Sequence, residues 1–332
     1  MAGEESALLL FEDAMLFTYS AALRAVAALG VADHLADGPR SSADLSVACG
    51  AGADGLSRIM RLLAGRGVFH EDAMGRFHLT RKGDALRTAA PLSARAAVLM
   101  LTDDMFWTTS HQLATNVCDD DPSFEKLFGM PLARHFDDPE REALFYEGMA
   151  TVSDAEDQLV AGSYGFPRQG TVVDVGGRSG SLLLTVLRRN PGLHGILFDR
   201  DPVPTGRPLD IQDVADRWET AEGDFFIEVP PADVHVLKRI LHNWDDDNSV
   251  RILTNCRRSL EPDGRVLVID AVIPDGNAAH QSKSMDVMML AALTGRERTA
   301  GQLDRLFDAA GLRLDRVVPT PSVMSIAEGV AC

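Results

Sequence analysis

The chain has 332 residues, a formal net charge of −17, and 45% hydrophobic against 24% charged residues. That length suits about two domains, and the mix is that of an ordinary soluble globular protein with a sizeable core. The acidic excess argues against a polyanionic partner such as nucleic acid, because phosphate binding rests on clustered Lys and Arg.

The opening "MAGEESALLL" carries acids where a secretory signal needs positive charge, and no apolar run is read as approaching the roughly 18 residues of a membrane span. Cys49, Cys118, Cys256 and Cys332 are scattered and form no C-x-x-C pair. A reduced, cytoplasmic protein with no membrane association is expected. "ALLLFEDAMLFTYSAALRAVAALGVADHL" has apolar residues at a helical period, interrupted at Gly30. Ser41 with Asp44 forms a capping-box pattern that opens a short helix; Gly50 to Gly52 break it and a second helix follows. "GVFHEDAMGRFHLT" predicts two short strands around a turn at Asp72 to Gly75. Helix, turn, helix, hairpin is a winged-helix order. Arg58, Arg61 and Arg66 on the second helix open a DNA-reading alternative, against which stand the acidic chain and the long apolar helix ahead of it.

From about Pro91 to Gly165 the pattern is helical and rich in large side chains, among them Trp107, Phe145 and Met149, broken by the charged loop in "CDDDPSFEKLFG". After Gly165 the texture changes. "TVVDVG", "HGILFD", "DVHVLKR" and "GRVLVID" are short, β-branched runs, separated by the helical stretches "SLLLTVLRRN", "DIQDVADRW" and "NSVRILTNCRRSL". Apolar strands alternating with helices predict a parallel sheet covered on both faces, whose ligands bind at the carboxyl ends of the strands.

Those ends carry the candidate chemistry. "DVGGRSG" follows the first strand, with Asp174, Gly176 and Gly177 where the backbone can approach a ligand. It is not G-x-G-x-x-G, so a dinucleotide pyrophosphate is disfavoured. Asp199 ends the second strand, where an acid can take both hydroxyls of a ribose. The third strand leads to Asp224 and Phe225, an acid beside an aromatic that suits an adenine. The fourth runs to Lys238 and then into "RILHNWDDD", with His242 against Trp244 and ahead of three aspartates. A histidine beside a tryptophan is as a rule packing. The aspartates are read as the start of the next helix, with divalent-metal binding as the alternative.

This ordered set, "VVDVGGRSG…ILFDRDP…GDFF…LKRILHNWDDD…VIDAVIP…GRERT", resembles the class I S-adenosylmethionine-dependent methyltransferases. Within them it resembles the small-molecule O-methyltransferases that include plant caffeate-type and bacterial antibiotic-pathway enzymes. The resemblance spans nearly the whole chain. It implies an N-terminal, mainly α winged-helix dimerisation domain over 1–95 and a helical linker over 96–165 that contributes to the substrate pocket. A Rossmann-like α/β catalytic domain with a mostly parallel seven-stranded sheet would occupy 166–332. It implies S-adenosylmethionine as cofactor, S-adenosylhomocysteine as product, no metal, and a homodimer acting on an aromatic small molecule. By the same resemblance Asp174, Gly176 and Gly177 border the methionine moiety, Asp199 holds the ribose, and Asp224 and Phe225 hold the adenine. Lys238 also contacts the cofactor. His242 is the general base, flanked by the acids Asp270 and Glu297. "MDVMMLAALTGRERT" lines the acceptor pocket with Met288 and Met289, joined by Trp107, Phe145 and Met149; a helical core stripe is the alternative for each. Arg178 stands where the family has glycine and Asn243 where it often has aspartate. Asp270 is one methylene shorter than the glutamate of plant members.

The chemistry fits a phenol. With a pKa near 10, a phenolic hydroxyl is mostly neutral at pH 7, and an imidazole can take its proton as the new bond forms, a contribution of roughly 10²–10⁴-fold. Two other functions stay open at this level: the same fold performing non-methyl, cofactor-assisted tailoring, and a winged-helix transcriptional regulator with a cofactor-sensing domain.

Overall fold

The computed structural model describes residues 2–119, 122–200 and 213–332. Asp120 and Asp121 of the charged loop, the "DP" of "ILFDRDP" and the first three residues of "DIQDVADRW" lie outside the described residues. The chain forms two compact units, Met1–Trp107 with Ala133–Val152, and Thr108–Leu132 with Ser153–Cys332. The stretch 96–165, expected as one linker, is therefore divided between them.

The first unit is a winged helix. Strands β1 (Arg40–Ser41), β2 (Phe69–Glu71) and β3 (Arg76–Leu79) form a small antiparallel sheet in the order β1-β3-β2. Helix Ser42–Cys49 opens on the expected capping box between Ser41 and Asp44 and closes at Gly50, whose left-handed φ of 65° needs no Cβ. Helix Ala53–Gly65 follows, burying Leu56, Met60 and Leu63 against Phe69 and Phe77. The arginines of the DNA-reading alternative are in part engaged within the domain: Arg61 pairs with Glu71 at 3.4 Å, and the Arg66 guanidinium lies over the Tyr19 ring. The helices Ala2–Ala14 and Leu16–Ala28 leave Leu8, Leu9, Leu10, Phe11 and Phe17 exposed. Ser6–Ala28 is long and apolar enough to cross a membrane by length and composition, which corrects the expectation that no run reaches that length. Acids are sparse enough in this segment for its apolar residues to dominate.

The second unit is built on a seven-stranded sheet: β4 (Gly170–Val175), β5 (Leu193–Asp199), β6 (Trp218–Glu222), β7 (Ala232–Lys238), β8 (Leu260–Asp270), β9 (Leu312–Pro319) and β10 (Ser325–Ala331). The order is β6-β5-β4-β7-β8-β10-β9, parallel through β8, with β10 antiparallel to both β8 and β9. Separate apolar clusters cover its two faces, as its unbroken Val, Ile and Leu runs require. Strand order reverses between β4 and its neighbours β5 and β7, the place where such sheets open a crevice. Among the described residues of "DIQDVADRW", 213–218, the expected α-helix does not form. Ala215–Arg217 is a single 3-10 turn and Trp218 already belongs to β6, paired with Gly195 of β5. The gain from extending the parallel ladder outweighs the helical period of so short a stretch.

Candidate active site

The loop after β4 makes one sharp left-handed turn after another. Gly176 has φ of 72° and donates its N–H to the Phe198 carbonyl at 2.7 Å; Gly180, again at 72°, precedes the helix Ser181–Arg189. Arg178, where glycine was expected, adopts φ of 40° and donates its backbone N–H to Asp199 Oδ2 at 3.1 Å. That bond offsets the strain a side chain meets in this region. The loop therefore keeps a glycine-like course without the glycine. A Cβ on Gly177 would overlap the Asp174 carboxylate, and one on Gly176 would come within 2.6 Å of Ile240 Cδ1. The protein's own side chains use the space these glycines leave.

Asp174 is buried at the end of β4, and its pKa is raised to about 7, first by burial and then by the negative charge of Asp157. Lys238 ends β7 two residues beyond Val236, the partner of Asp174 in the ladder. Its ammonium donates to the Ser153 carbonyl at 3.0 Å, to Ser153 Oγ at 2.7 Å, and to Asp157. All three of its protons are thus engaged with helix Pro139–Ser163. These bonds hold the Lys238 ammonium against that helix. The next residue, Arg239, is held at φ of 56° and clamps Glu156 with bonds of 2.7 and 3.3 Å. Glu156 and Asp157 were missed in the sequence. Adjacent acids in a helix facing an adjacent Lys-Arg pair were the available signal.

Asp199 accepts from the backbone N–H groups of Arg178 and Arg200, so its carboxylate braces the glycine loop. Asp224 follows β6 and accepts from Phe226 N–H at 2.9 Å and from the Arg200 side chain, which holds its pKa below the usual carboxylate range. Phe225 is buried, 4.9 Å from Phe226, and Trp244 meets Phe226 edge-on at 4.8 Å. Trp244 thus packs on both phenylalanine rings.

His242 lies in the one-turn segment Leu241–Asn243 after β7 and is 8% exposed. Its Nδ1 is 2.9 Å from Glu297 Oε1, and Glu297 is 1% exposed. A carboxylate only accepts, so Nδ1 carries the proton and Nε2 is the ring's acceptor. Asp270, at the end of β8, makes no hydrogen bond to the ring. Its Oδ1 is buried without a partner, and its pKa is raised to about 6, by burial against the opposing influence of His242. Of the two flanking acids, Glu297 is the one that reaches the imidazole, while Asp270 is close enough for the two charges to influence each other. Asn243 turns back to donate to the Arg239 carbonyl at 2.9 Å. The aspartates start a helix as expected: Asp245 caps Asp246–Arg258 by accepting from Asn248 N–H, and Asp246 pairs with Arg296 and Arg298. Among the described residues no three His, Cys, Asp or Glu side chains converge as a metal-binding group.

The segment Gly295 to Arg298 seats this turn. A Cβ on Gly295 would overlap the His242 carbonyl oxygen. Glu297 is fixed by donating its N–H to Asp286 at 3.0 Å. Arg298, unremarked in the sequence beside Glu297, is buried among the backbone carbonyls of the turn. Of the acceptor-pocket candidates in the first unit, Phe145 packs on Phe136 at 4.6 Å and lines a hollow with Met100 and Met105; Met149 is half-buried and Trp107 exposed. In the second unit Met289 is buried and Met288 half-buried.

A sheet of this order with acids at successive strand ends defines a class I S-adenosylmethionine-dependent methyltransferase. Residues 110–313 match the O-methyltransferase domain family and residues 12–89 the O-methyltransferase dimerisation domain. Phenazine O-methyltransferase PhzM of Lysobacter antibioticus is 38% identical over 92% of this chain and 91% of its own. The mitomycin biosynthesis 6-O-methyltransferase of Streptomyces lavendulae is 37% identical over 90% and 86%. The crystal structure of CalO1, a methyltransferase in calicheamicin biosynthesis in its S-adenosylhomocysteine-bound form, is 61% identical with a TM-score of 0.94, covering all of both chains. The chain belongs to the O-methyltransferase family and is an S-adenosylmethionine-dependent O-methyltransferase.

Proposed function

We propose that this enzyme methylates a hydroxyl of an aromatic small molecule in bacterial antibiotic biosynthesis, acts as a homodimer, and uses His242 as general base without a metal. The observation that carries the reading is the buried bond from His242 Nδ1 to Glu297, which presents Nε2 as a proton acceptor from a rigid strand end. Relatives support the acceptor class: besides the phenazine and mitomycin enzymes, a 2,7-dihydroxy-5-methyl-1-naphthoate 7-O-methyltransferase of Streptomyces carzinostaticus is 34% identical over 93% of this chain. The dimerisation domain, with its exposed apolar N-terminal helices, supports the homodimer.

Bound S-adenosylmethionine supplies an electrophilic methyl group on a positively charged sulfur. The residues present fit such a ligand. Buried Asp174 and the unpartnered oxygen of Asp157 form an acidic pair short of positive charge. Asp174, Gly176 and Gly177 would border its amino-acid end, Asp199 its ribose, and Asp224 and Phe225 its adenine. His242 Nε2 accepts the hydroxyl proton as oxygen takes the methyl group. Glu297, fixed on Nδ1, stabilises the imidazolium so formed, and the charge of Asp270 adds to it. Holding acceptor and methyl in line contributes at least as much as the base.

The test is His242→Ala. Turnover of an aromatic acceptor should fall sharply while calorimetric binding of S-adenosylmethionine stays nearly unchanged; equal loss of both makes His242 structural. Product mass reports one added CH₂ for methylation and separates this from other cofactor-assisted tailoring. The 8-amino-8-demethylriboflavin N,N-dimethyltransferase of Streptomyces davaonensis, 32% identical over 92% of this chain, acts on an amine by name. The site of the added carbon therefore has to be read by NMR of the product.

A further inference from the structure

We infer that Arg298 is a positioning residue for methyl transfer: it clamps the backbone on both sides of His242 and so fixes where the imidazole stands. The inference rests on the reading of His242 as the base. The Arg298 side chain is 2% exposed, in a protein whose other arginines lie mostly at the surface. Its Nη1 donates to the Leu241 carbonyl at 2.9 Å and its Nη2 to the Trp244 carbonyl at 2.8 Å. These are the residue before His242 and the second residue after it. Nη2 also reaches Asp246 Oδ1 at 2.9 Å and Ser249 Oγ at 3.2 Å, and Nε reaches the same Asp246 oxygen at 3.1 Å. One rigid guanidinium fork thus ties the turn that carries His242 to the first turn of helix Asp246–Arg258.

Three features make this more than a buried ion pair. First, the turn's own hydrogen bonds are few: the Leu241 carbonyl accepts Trp244 N–H at 3.0 Å, and Arg298 adds a second, charged donor to it while also holding the Trp244 carbonyl. Second, the clamp is itself anchored: the Arg298 carbonyl accepts from Ile273 N–H at 2.9 Å, and Thr299 bridges to Ile273 just beyond β8. Third, the neighbouring Glu297 holds the ring while Arg298 holds the main chain. A shift of either moves the same nitrogen. A lysine carries the charge but not the planar set of five donors, and it cannot span both carbonyls.

The test uses the full-length protein with S-adenosylhomocysteine and ¹⁵N-labelled histidine. In wild type the Nδ1 proton of His242 should appear downfield and exchange slowly, assigned by its loss in His242→Gln. Arg298→Lys should speed its exchange by about tenfold or more, while the affinity for S-adenosylhomocysteine stays within about twofold. With 1,4-dihydroxy-2-naphthoic acid as probe acceptor, kcat should fall about 10- to 100-fold with little change in KM, the scale of a misplaced reacting group. In the His242→Ala background the same substitution should leave residual kcat unchanged, because an effect acting through His242 vanishes with it. Unaltered exchange of the Nδ1 proton in Arg298→Lys overturns the inference, as does a full loss of kcat on top of His242→Ala. A normal kcat in His242→Ala instead overturns the base, whatever Arg298 does. Should Arg298→Lys not fold, Asp246→Asn loosens the fork while leaving the site filled. Faster exchange in that variant supports the clamp and unchanged exchange refutes it.

Discussion

Asp174→Asn should stabilise the cofactor-free protein in a pH-dependent way while impairing the site. Burial and the charge of Asp157 raise the Asp174 pKa from 3.8 to about 7, with Lys238 opposing and Asp199 adding. An acid with a raised folded-state pKa binds its proton more tightly in the folded chain than in the unfolded one. Its contribution is neutral below pH 3.8, where both states are protonated. It becomes progressively unfavourable as pH rises towards 7, where the folded chain must give up that proton. About three units at 1.36 kcal/mol each give roughly 4 kcal/mol of destabilisation above pH 7. The amide carries no charge, so the variant should match wild type near pH 4 and exceed it at pH 8 by up to about 4 kcal/mol, less whatever hydrogen bonding the amide forfeits. Denaturant unfolding at a series of pH values, without cofactor, reads the difference directly. Calorimetry with S-adenosylmethionine should show weaker binding in the same variant. Parallel stability profiles for the two proteins across pH 4–8 would refute the reasoning, since no charged state would then be suffering at that position.

Glu297→Gln should lower kcat about 10²-fold or more, because an amide can donate to Nδ1 and so place the ring proton on Nε2, where the base is needed; steady-state rates with unchanged cofactor affinity check it. Gly295→Ala should lower both stability, by about 1–3 kcal/mol, and kcat, because the new methyl overlaps the His242 carbonyl; a thermal melt beside a rate assay decides, and a full-rate variant contradicts the seating of the turn. Asp270→Asn should gain stability over wild type as pH rises through about 4 to 6 and gain nothing below, since burial raises that carboxyl's pKa to about 6. Its kcat should fall less than that of Glu297→Gln, because Asp270 makes no bond to the ring.

The parts of this molecule that were legible in the sequence are those that local chemistry decides. Ser41 and Asp44 cap a helix, Gly50 ends it, and Asp245 starts another, each through bonds spanning three to five residues. The parallel strands showed as β-branched runs because both faces of the sheet are buried. Partnerships across the fold were not legible. Lys238 reads as a strand-end cation facing a ligand, and only the folded chain shows Ser153 and Asp157, more than eighty residues earlier, taking its protons. Likewise, "GRERT" shows two arginines around Glu297, and nothing in their order tells that Arg298 is buried while Arg296 is half exposed. The helical period read up to Trp218 failed for the same reason: its described end, Ala215–Arg217, is a single 3-10 turn, and Trp218 is drawn into a ladder whose other strand lies some twenty residues away.

The strand-end network also explains the raised pKa of Asp174. Glu156, Asp157 and Asp174 are three buried acids, and Lys238 and Arg239 are the two bases set against them. Arg239 is committed to Glu156 by a two-bonded fork, and Lys238 to Asp157 with Ser153 filling its remaining donors. Removing one partner from such a buried pair is strongly unfavourable, so neither base is free to serve the third acid. Asp174 is left with the deficit, one negative charge in a place that water does not reach. A fold selected for stability alone would place an amide or an apolar residue there. Keeping a carboxylate that is half protonated near pH 7 makes sense where a cation is to arrive, because a positive ligand both relieves the deficit and is held by it. That is the logic of a site that gives up stability for binding. It predicts that cofactor affinity declines as pH falls below about 7 in wild type and becomes flat with pH in Asp174→Asn. Equal pH dependence in the two proteins would place the cation elsewhere.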